Sequence, residues 1–409
     1  MNSRERVLAA LNHREPARVP LDFDGYRSSG IAAIAYIKLR KHLGLPATTV
    51  YVYDPIQLLA RVDEDVLERF GADTVEMGRG FPLDDSAWAD WVLPDGTPCK
   101  MPAWALPERH NGDWVLRSKS GRILARMPQG GFYFSQEYFP FAEEADFNNI
   151  PGALAEMMWS GLSIPPGPLA YGPEGLRQLA AGAKALRSRT DRAMIGLFGG
   201  SLFETGQFLF RNDNYFILLG SEPAKAHDFL DRLVEIHLAN LERFLAAVGE
   251  YIDVILFSDD LGMQSGPQIS PAMYRKFFKP RHQVMWERAK KLADVKVKLH
   301  CCGGVRELLP DLIDAGLDAI NPVQISCRGM TARELKAEFG KDMGFWGGGC
   351  DTQEVLPRGT PEEVGRHVKQ QVKILGPGGG FVFQQVHNIQ ANVPPENIVA
   401  MFDAVNGRA

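Results

Sequence analysis

Apolar residues recur along this chain in two rhythms, a helical spacing of three to four and short strand-like runs, and their alternation predicts the architecture. Residues 3–12 carry Val7, Leu8 and Leu11 at helical spacing, with Ser3 as the expected N-cap. A strand at 18–25 breaks at Gly25, helical patterns follow at 31–43 and 63–70, and Gly71 ends the second of these before a strand at 71–77. Past Pro151 the rhythm settles into strands expected at 193–199, 252–258, 295–300, 319–323, 343–346 and 380–385. Helical patterns at 221–248, 273–292, 305–315, 331–339 and 361–375 lie between them. Two early strands and six later ones, each with a crossover, predict an α/β chain folded as a distorted (β/α)8 TIM-type barrel. A doubly wound open sheet would want a glycine-rich phosphate turn after an early strand, and Phe23-Asp24-Gly25-Tyr26 is not one.

Between residues 81 and 141 the texture changes. Trp88, Trp91, Trp104, Trp114, Phe132, Tyr133 and Phe134 are scattered among Asp95-Gly96, Asn111-Gly112 and Ser120-Gly121, dipeptides that favour tight hairpins. An inserted antiparallel β subdomain is expected, its aromatics forming the core of a small sheet or covering a substrate pocket. The chain then divides into 1–80, the N-terminal helix and first barrel strands; 81–141, the insertion; and 142–409, the remainder of the barrel with its catalytic strand ends.

Composition narrows the function. The 409 residues are 45% hydrophobic and 23% charged, ordinary for a soluble globular protein. A net charge of −5 argues against a nucleic-acid partner or an anionic membrane surface. The start, Met1-Asn2-Ser3-Arg4, has no apolar signal region, and no apolar run reaches the roughly 18 residues of a membrane span. A reducing cytoplasm is therefore expected, where five cysteines point to metal binding or catalysis rather than bridging, with Cys99 and Cys327 structural.

Active sites of parallel barrels gather at the carboxyl ends of the strands. Lys296-Val297-Lys298-Leu299-His300-Cys301-Cys302-Gly303-Gly304 is a strand delivering ligands there. In extended chain, alternate side chains share a face, so His300 and Cys302 point one way and Cys301 the other. Cys350, ending the run Phe345-Trp346-Gly347-Gly348-Gly349, supplies a third soft ligand. Two thiolates and one imidazole, with the fourth position open, are a known ligand set of catalytic zinc; the competing reading is that these are small residues buried at strand ends. Glu204, Asp259 and Asp260 at neighbouring strand ends are candidates for acid, base or fourth ligand, against solvated or helix-capping carboxylates. His387 is read as a group that orients substrate or bonds internally, and Asn321, Gln324 and Gln385 as substrate-binding.

Several stretches taken together carry a family resemblance: residues 3–11 through Arg18-Val19-Pro20; Ser258-Asp259-Asp260-Leu261-Gly262-Met263-Gln264 with Ile269-Ser270-Pro271; His300-Cys301-Cys302-Gly303; and His387-Asn388-Ile389-Gln390 with Val393-Pro394-Pro395-Glu396-Asn397. The chain resembles the uroporphyrinogen decarboxylase superfamily over nearly its whole length outside 81–141. Within it, the His-x-Cys turn and later cysteine look like the zinc-dependent, corrinoid-linked methyltransferases. That resemblance implies a distorted (β/α)8 barrel, a zinc ion, and a methyl group moved between a thiol, methyl ether or amine and a corrinoid (methylcobalamin-type) cofactor carried by a partner protein. True decarboxylases of the superfamily hold a polyanion with an arginine-rich motif after the first strand. Here Gly25-Tyr26-Arg27-Ser28-Ser29-Gly30 offers one arginine, a poor cage for several carboxylates. Tetrapyrrole decarboxylation and a non-catalytic corrinoid or small-molecule binding module are the alternatives.

Overall fold

A computed structural model describes residues 1–162 and 172–408. Seven parallel strands make one sheet: β1 (Thr74–Glu76), β2 (Ala193–Gly199), β3 (Val254–Ser258), β4 (Lys296–His300), β5 (Ala319–Asn321), β6 (Gly344–Trp346) and β7 (Phe381–Val382). Each pairs with its neighbour in sequence, so the spatial order is the chain order. The first helix, α1, is Ser3–Leu11, with Asn2 as its N-cap in place of the expected Ser3. The Asn2 side chain accepts from the Glu5 amide at 2.8 Å and the Glu5 carboxylate accepts from the Asn2 amide at 2.9 Å, a reciprocal capping box.

The expected strand at 18–25 is reduced to a single bridge, Leu21 to Phe383. It nevertheless closes the ring. The Phe383 amide donates to Pro20 O and the Asp22 amide to Phe383 O, both at 2.8 Å, while on the other side the Asp73 amide donates to Leu21 O at 2.7 Å. The eighth position of a distorted (β/α)8 barrel is thus filled by irregular chain. Pro20 has no amide to extend a ladder. Asp22 turns its Oδ1 to the Gly25 amide, Ser29 Oγ and Thr74 Oγ1 at 3.0, 2.9 and 2.7 Å, and Asp24 adopts a left-handed φ of 61°.

Alternation along the strands fills the barrel from below. Ala193, Ile195, Val254, Leu256, Ala319, Trp346 and Val382 form one inner cluster, closed at the bottom by Val7 and Leu11 of α1. Lys298 sits in the same interior, fully buried, its Nζ 3.8 Å above the Trp346 ring and 3.8 Å from Asp22 Oδ2. Trp346 Nε1 donates to that same oxygen at 2.7 Å.

The helices largely follow the apolar rhythm, with local breaks where the sequence supplies them. The expected helix at 273–292 carries a π-turn at Tyr274–Phe278 before α-helix resumes at Lys279–Leu292. The expected helix at 221–248 starts at Pro223, whose ring suits a first helical position. Residues 81–141 contain antiparallel hairpins in two small sheets. Asn111 and Gly112 have φ of 52° and 91°, the doubly left-handed turn that Asn-Gly favours. Trp91 and Trp114 meet edge to face at 5.3 Å, while Phe132 and Tyr133 are exposed. No described helix is long and apolar enough to cross a membrane.

Candidate metal centre

Strand β4 delivers His300 to the inner face at the barrel mouth and sends Cys301 to the opposite side, where its Sγ accepts from the Leu261 amide at 3.3 Å in the packed interior. The chain then turns at Gly303, φ 91°, so close to Gly262 that a Cβ there would lie 2.2 Å from the Gly262 carbonyl carbon. This turn brings Cys302 Sγ to 3.4 Å from His300 Nε2. The ring nitrogens of His300 and His387 and the Cys302 sulfur lie within 4.8 Å of one another. Tetrahedral zinc with Zn–N near 2.1 Å and Zn–S near 2.3 Å separates such atoms by about 3.5 Å, the separation His300 Nε2 and Cys302 Sγ already have, and the chemistry of two imidazoles and a thiol suits that ion.

Asn321, at the end of β5, fixes the imidazole. Its Nδ2 donates to Trp346 O and to Gln384 Oε1, both at 2.9 Å, and its Oδ1 accepts from Ser28 Oγ at 3.0 Å. A backbone carbonyl can only accept, so the amide orientation is settled and Oδ1 faces His300 Nδ1 at 2.8 Å. The proton is therefore on Nδ1, and Nε2 presents its lone pair toward Cys302. Gln384 Nε2 completes the buried network by donating to Ser28 Oγ at 3.1 Å.

The electrostatics favour neutral donors. Burial lowers the pKa of His300 and lowers that of His387 to about 4, so both imidazoles are uncharged at neutral pH. Burial, reinforced by the Asp260 carboxylate, raises the Cys302 thiol. Asp260 stands at the rim, its Oδ1 accepting the Cys302 amide at 2.7 Å and lying 3.9 Å from His300 Nε2.

The other sequence candidates separate. Glu204 accepts from Ser258 Oγ at 2.8 Å and, with Asp260, His300 and His387, lines a cavity of about 650 Å³. Trp159, Phe198, Phe208 and Ile236 supply apolar wall, and Tyr26 and Arg27 stand beside the histidines. Asp259 is fully buried and has a structural task in place of the expected acid–base one. It accepts from the Leu202, Phe203 and Glu204 amides at 3.3, 3.1 and 2.8 Å, holding the start of α2 (Phe203–Phe210), and from His282 Nε2 at 3.0 Å. Alternation carried the signal, since an inward Ser258 sends Asp259 outward.

Asn321 orients His300 with all its polar atoms engaged, so it has none left for substrate. Gln324 is tied to the turn, accepting from the Gly303 amide at 2.8 Å, and Gln385 is fully buried away from the cavity. Cys350 falls outside the histidine–cysteine group. Its side chain is fully buried, its Sγ 3.8 Å from Asp351 O, because Gly347 and Gly348, φ 107° and 79°, turn the chain before it. His387, read from the sequence as an orienting group, stands in its place. Ser28, Gln384, Tyr26 and Arg27 were not singled out by spacing, since each depends on which strands become neighbours.

A family model described as uroporphyrinogen decarboxylase (URO-D) matches residues 170–408, more than half of the chain. No curated protein matches the sequence. Among solved structures, a methyltransferase from Methanosarcina mazei is similar, at 18% identity and a TM-score of 0.59, over 100% of this chain and 99% of its own. At that identity the likeness speaks for the fold.

Proposed function

The chain belongs to the uroporphyrinogen decarboxylase family, and within that family we propose that it is a zinc-dependent methyltransferase exchanging a methyl group between a small substrate and a corrinoid carried by a partner protein. The observation that carries this reading is the grouping of a His300 nitrogen, Cys302 Sγ and a His387 nitrogen within 4.8 Å of one another beside a substrate-sized cavity. The likeness to a solved methyltransferase supports it. A zinc ion bound there supplies Lewis acidity, lowering the pKa of a ligating thiol or polarising the heteroatom that carries the methyl group.

The protein's own part is positioning. Asn321 holds the His300 tautomer that leaves Nε2 available, and Asp260 pins the Cys302 backbone. The apolar wall formed by Trp159, Phe198 and Phe208 lowers the local dielectric around the reacting atoms. The open side of the cavity is where a partner-bound corrinoid would approach.

Decarboxylation of a polycarboxylate is the second reading, carried by the family match. Arg27 and Arg243 are the lysine or arginine side chains that line the cavity among the described residues, too few charge-assisted partners for such a substrate. Two measurements decide. Protein purified without chelator should carry about one zinc per chain, lost in Cys302→Ala. It should also move a methyl group between methylcobalamin and a thiol, or from a methyl ether to cob(I)alamin. Zinc-free protein that turns over uroporphyrinogen would overturn the proposal.

A further inference from the structure

A second cavity, of about 30 Å³, adjoins the main one at Arg27, which lines both. Its other polar walls come from three places in the chain. Tyr53 and Arg61 belong to an antiparallel hairpin (Val52–Asp54 with Leu59–Ala60) and its exit. Glu76 ends β1 and Arg79 stands in the turn Met77–Gly80 that follows, while Trp88 opens the first strand of the insertion. Three guanidiniums, of Arg27, Arg61 and Arg79, thus meet around one small space.

Two of the three are matched by carboxylates. Arg27 Nε lies 2.8 Å from Asp54 Oδ2, and Arg79 pairs with Asp24 and donates to Val62 O at 2.8 Å. Arg61 differs, because its guanidinium makes no hydrogen bond and no ion pair among the described residues. The Tyr53 hydroxyl is buried with no hydrogen-bond partner, and burial raises its pKa, so it stays protonated and able to donate. Glu76 is the carboxyl on this wall, and burial raises its pKa to about 7, which partly suppresses its charge near neutrality. The space therefore presents a surplus cation and a spare donor, the complement of an oxyanion. Size selects among oxyanions. One water-sized group needs about 10–15 Å³, so the cavity takes roughly two, which suits the oxygens of one carboxylate and falls short of the four of a phosphate.

We propose that this cavity is a binding site for a single carboxylate, held by the Arg61 guanidinium and the Tyr53 hydroxyl, with Arg27 and Arg79 as further cationic wall. It does not rest on the methyltransferase reading. Two sources supply such a group. One is a free small acid, and the other is the acidic end of a molecule whose body fills the main cavity and which passes Arg27.

The test titrates the full chain with sodium acetate and with sodium 3-phenylpropionate, at an ionic strength fixed with sodium chloride, and follows tryptophan fluorescence. Trp88→Phe identifies the part of the signal that comes from the cavity wall. Acetate should change the Trp88 signal saturably. Arg61 is exposed, so Arg61→Gln should keep the wild-type circular dichroism spectrum and weaken acetate binding about 10- to 100-fold, the range for losing a hydrogen bond to a charged group. Tyr53→Phe should weaken it by less. Tighter binding of 3-phenylpropionate, with the advantage lost in Phe208→Ala on the main-cavity wall, assigns the carboxylate to a molecule that fills both cavities. Equal affinities, or an advantage that Phe208→Ala leaves in place, assign it to a free acid. No saturable response to acetate, or one that Arg61→Gln and Tyr53→Phe both leave unchanged, overturns the proposal. Inorganic phosphate binding as tightly as acetate overturns the assignment to a carboxylate.

Discussion

His300 and Asn321 are register partners on adjacent parallel strands, and His300 Nδ1 donates to Asn321 Oδ1 at 2.8 Å. That bond decides which nitrogen of the imidazole is free. The amide is held by the Trp346 carbonyl, Gln384 and Ser28, so the tautomer is imposed by the strand ends of β5 and β6 and by the chain after Leu21. The nitrogen that faces Cys302 is thus set by neighbours outside the histidine–cysteine group.

Removing that support should weaken metal binding without unfolding the barrel. Asn321→Ala frees the ring to rotate and to exchange tautomers, and losses of this kind cost about 10- to 100-fold in metal affinity. Competition with a colorimetric chelator measures it. An affinity equal to wild type would show that packing alone fixes the imidazole.

Zinc content should sort the candidate ligands. Cys302→Ala and His387→Ala are expected to lose the metal, and Cys350→Ala to retain it, since the Cys350 sulfur is buried against the Asp351 carbonyl. Metal analysis of the three purified variants is the measurement. Loss of zinc from Cys350→Ala would mean that the glycine turn rearranges to bring that sulfur in.

The pattern of legibility follows from this geometry. His300 and Cys302 were readable because strand parity and a two-residue spacing are local. Cys350 misled because Gly347 and Gly348 break the alternation that would tell which way it faces. The Asn321 role, and that of Gln384 and Ser28, depends on strand register, which spacing within one segment does not specify. Seven of the eight expected strands stand in the sheet, because the alternation of apolar runs and crossover helices marks them. The strand at 18–25 shrank to a bridge because Pro20 and the side-chain bonds of Asp22 replace a ladder there.

Closure of the ring depends on Asp73. Its carboxylate is fully buried and accepts from Arg6, from Arg18 Nη1 and Nη2 at 2.6 and 2.9 Å, and from the Leu21 amide at 2.8 Å. It therefore ties α1, the closing segment and the start of β1 together. Asp73→Ala leaves two guanidiniums and a buried amide without their partner, and the cost should be about 3–5 kcal/mol in urea unfolding. A change below about 1 kcal/mol would place the closure energy in apolar packing instead.

Glu76 should make stability depend on pH. It is buried beside Arg27, Asp24, Arg79 and Asp54, and burial raises its pKa from 4.5 to about 7 despite the two arginines. Between those values the folded chain keeps a proton that the unfolded chain releases, so stability falls as pH rises through the window and the penalty is complete above about 7. The size is on the order of 3 kcal/mol. Glu76→Gln keeps the shape and cannot ionise, so it should match wild type near pH 5 and exceed it near pH 8 by about that amount. Urea unfolding of the two proteins across this range measures the difference. Parallel curves at every pH would mean that Arg27 and Arg79 already hold the Glu76 carboxylate ionised in the folded chain.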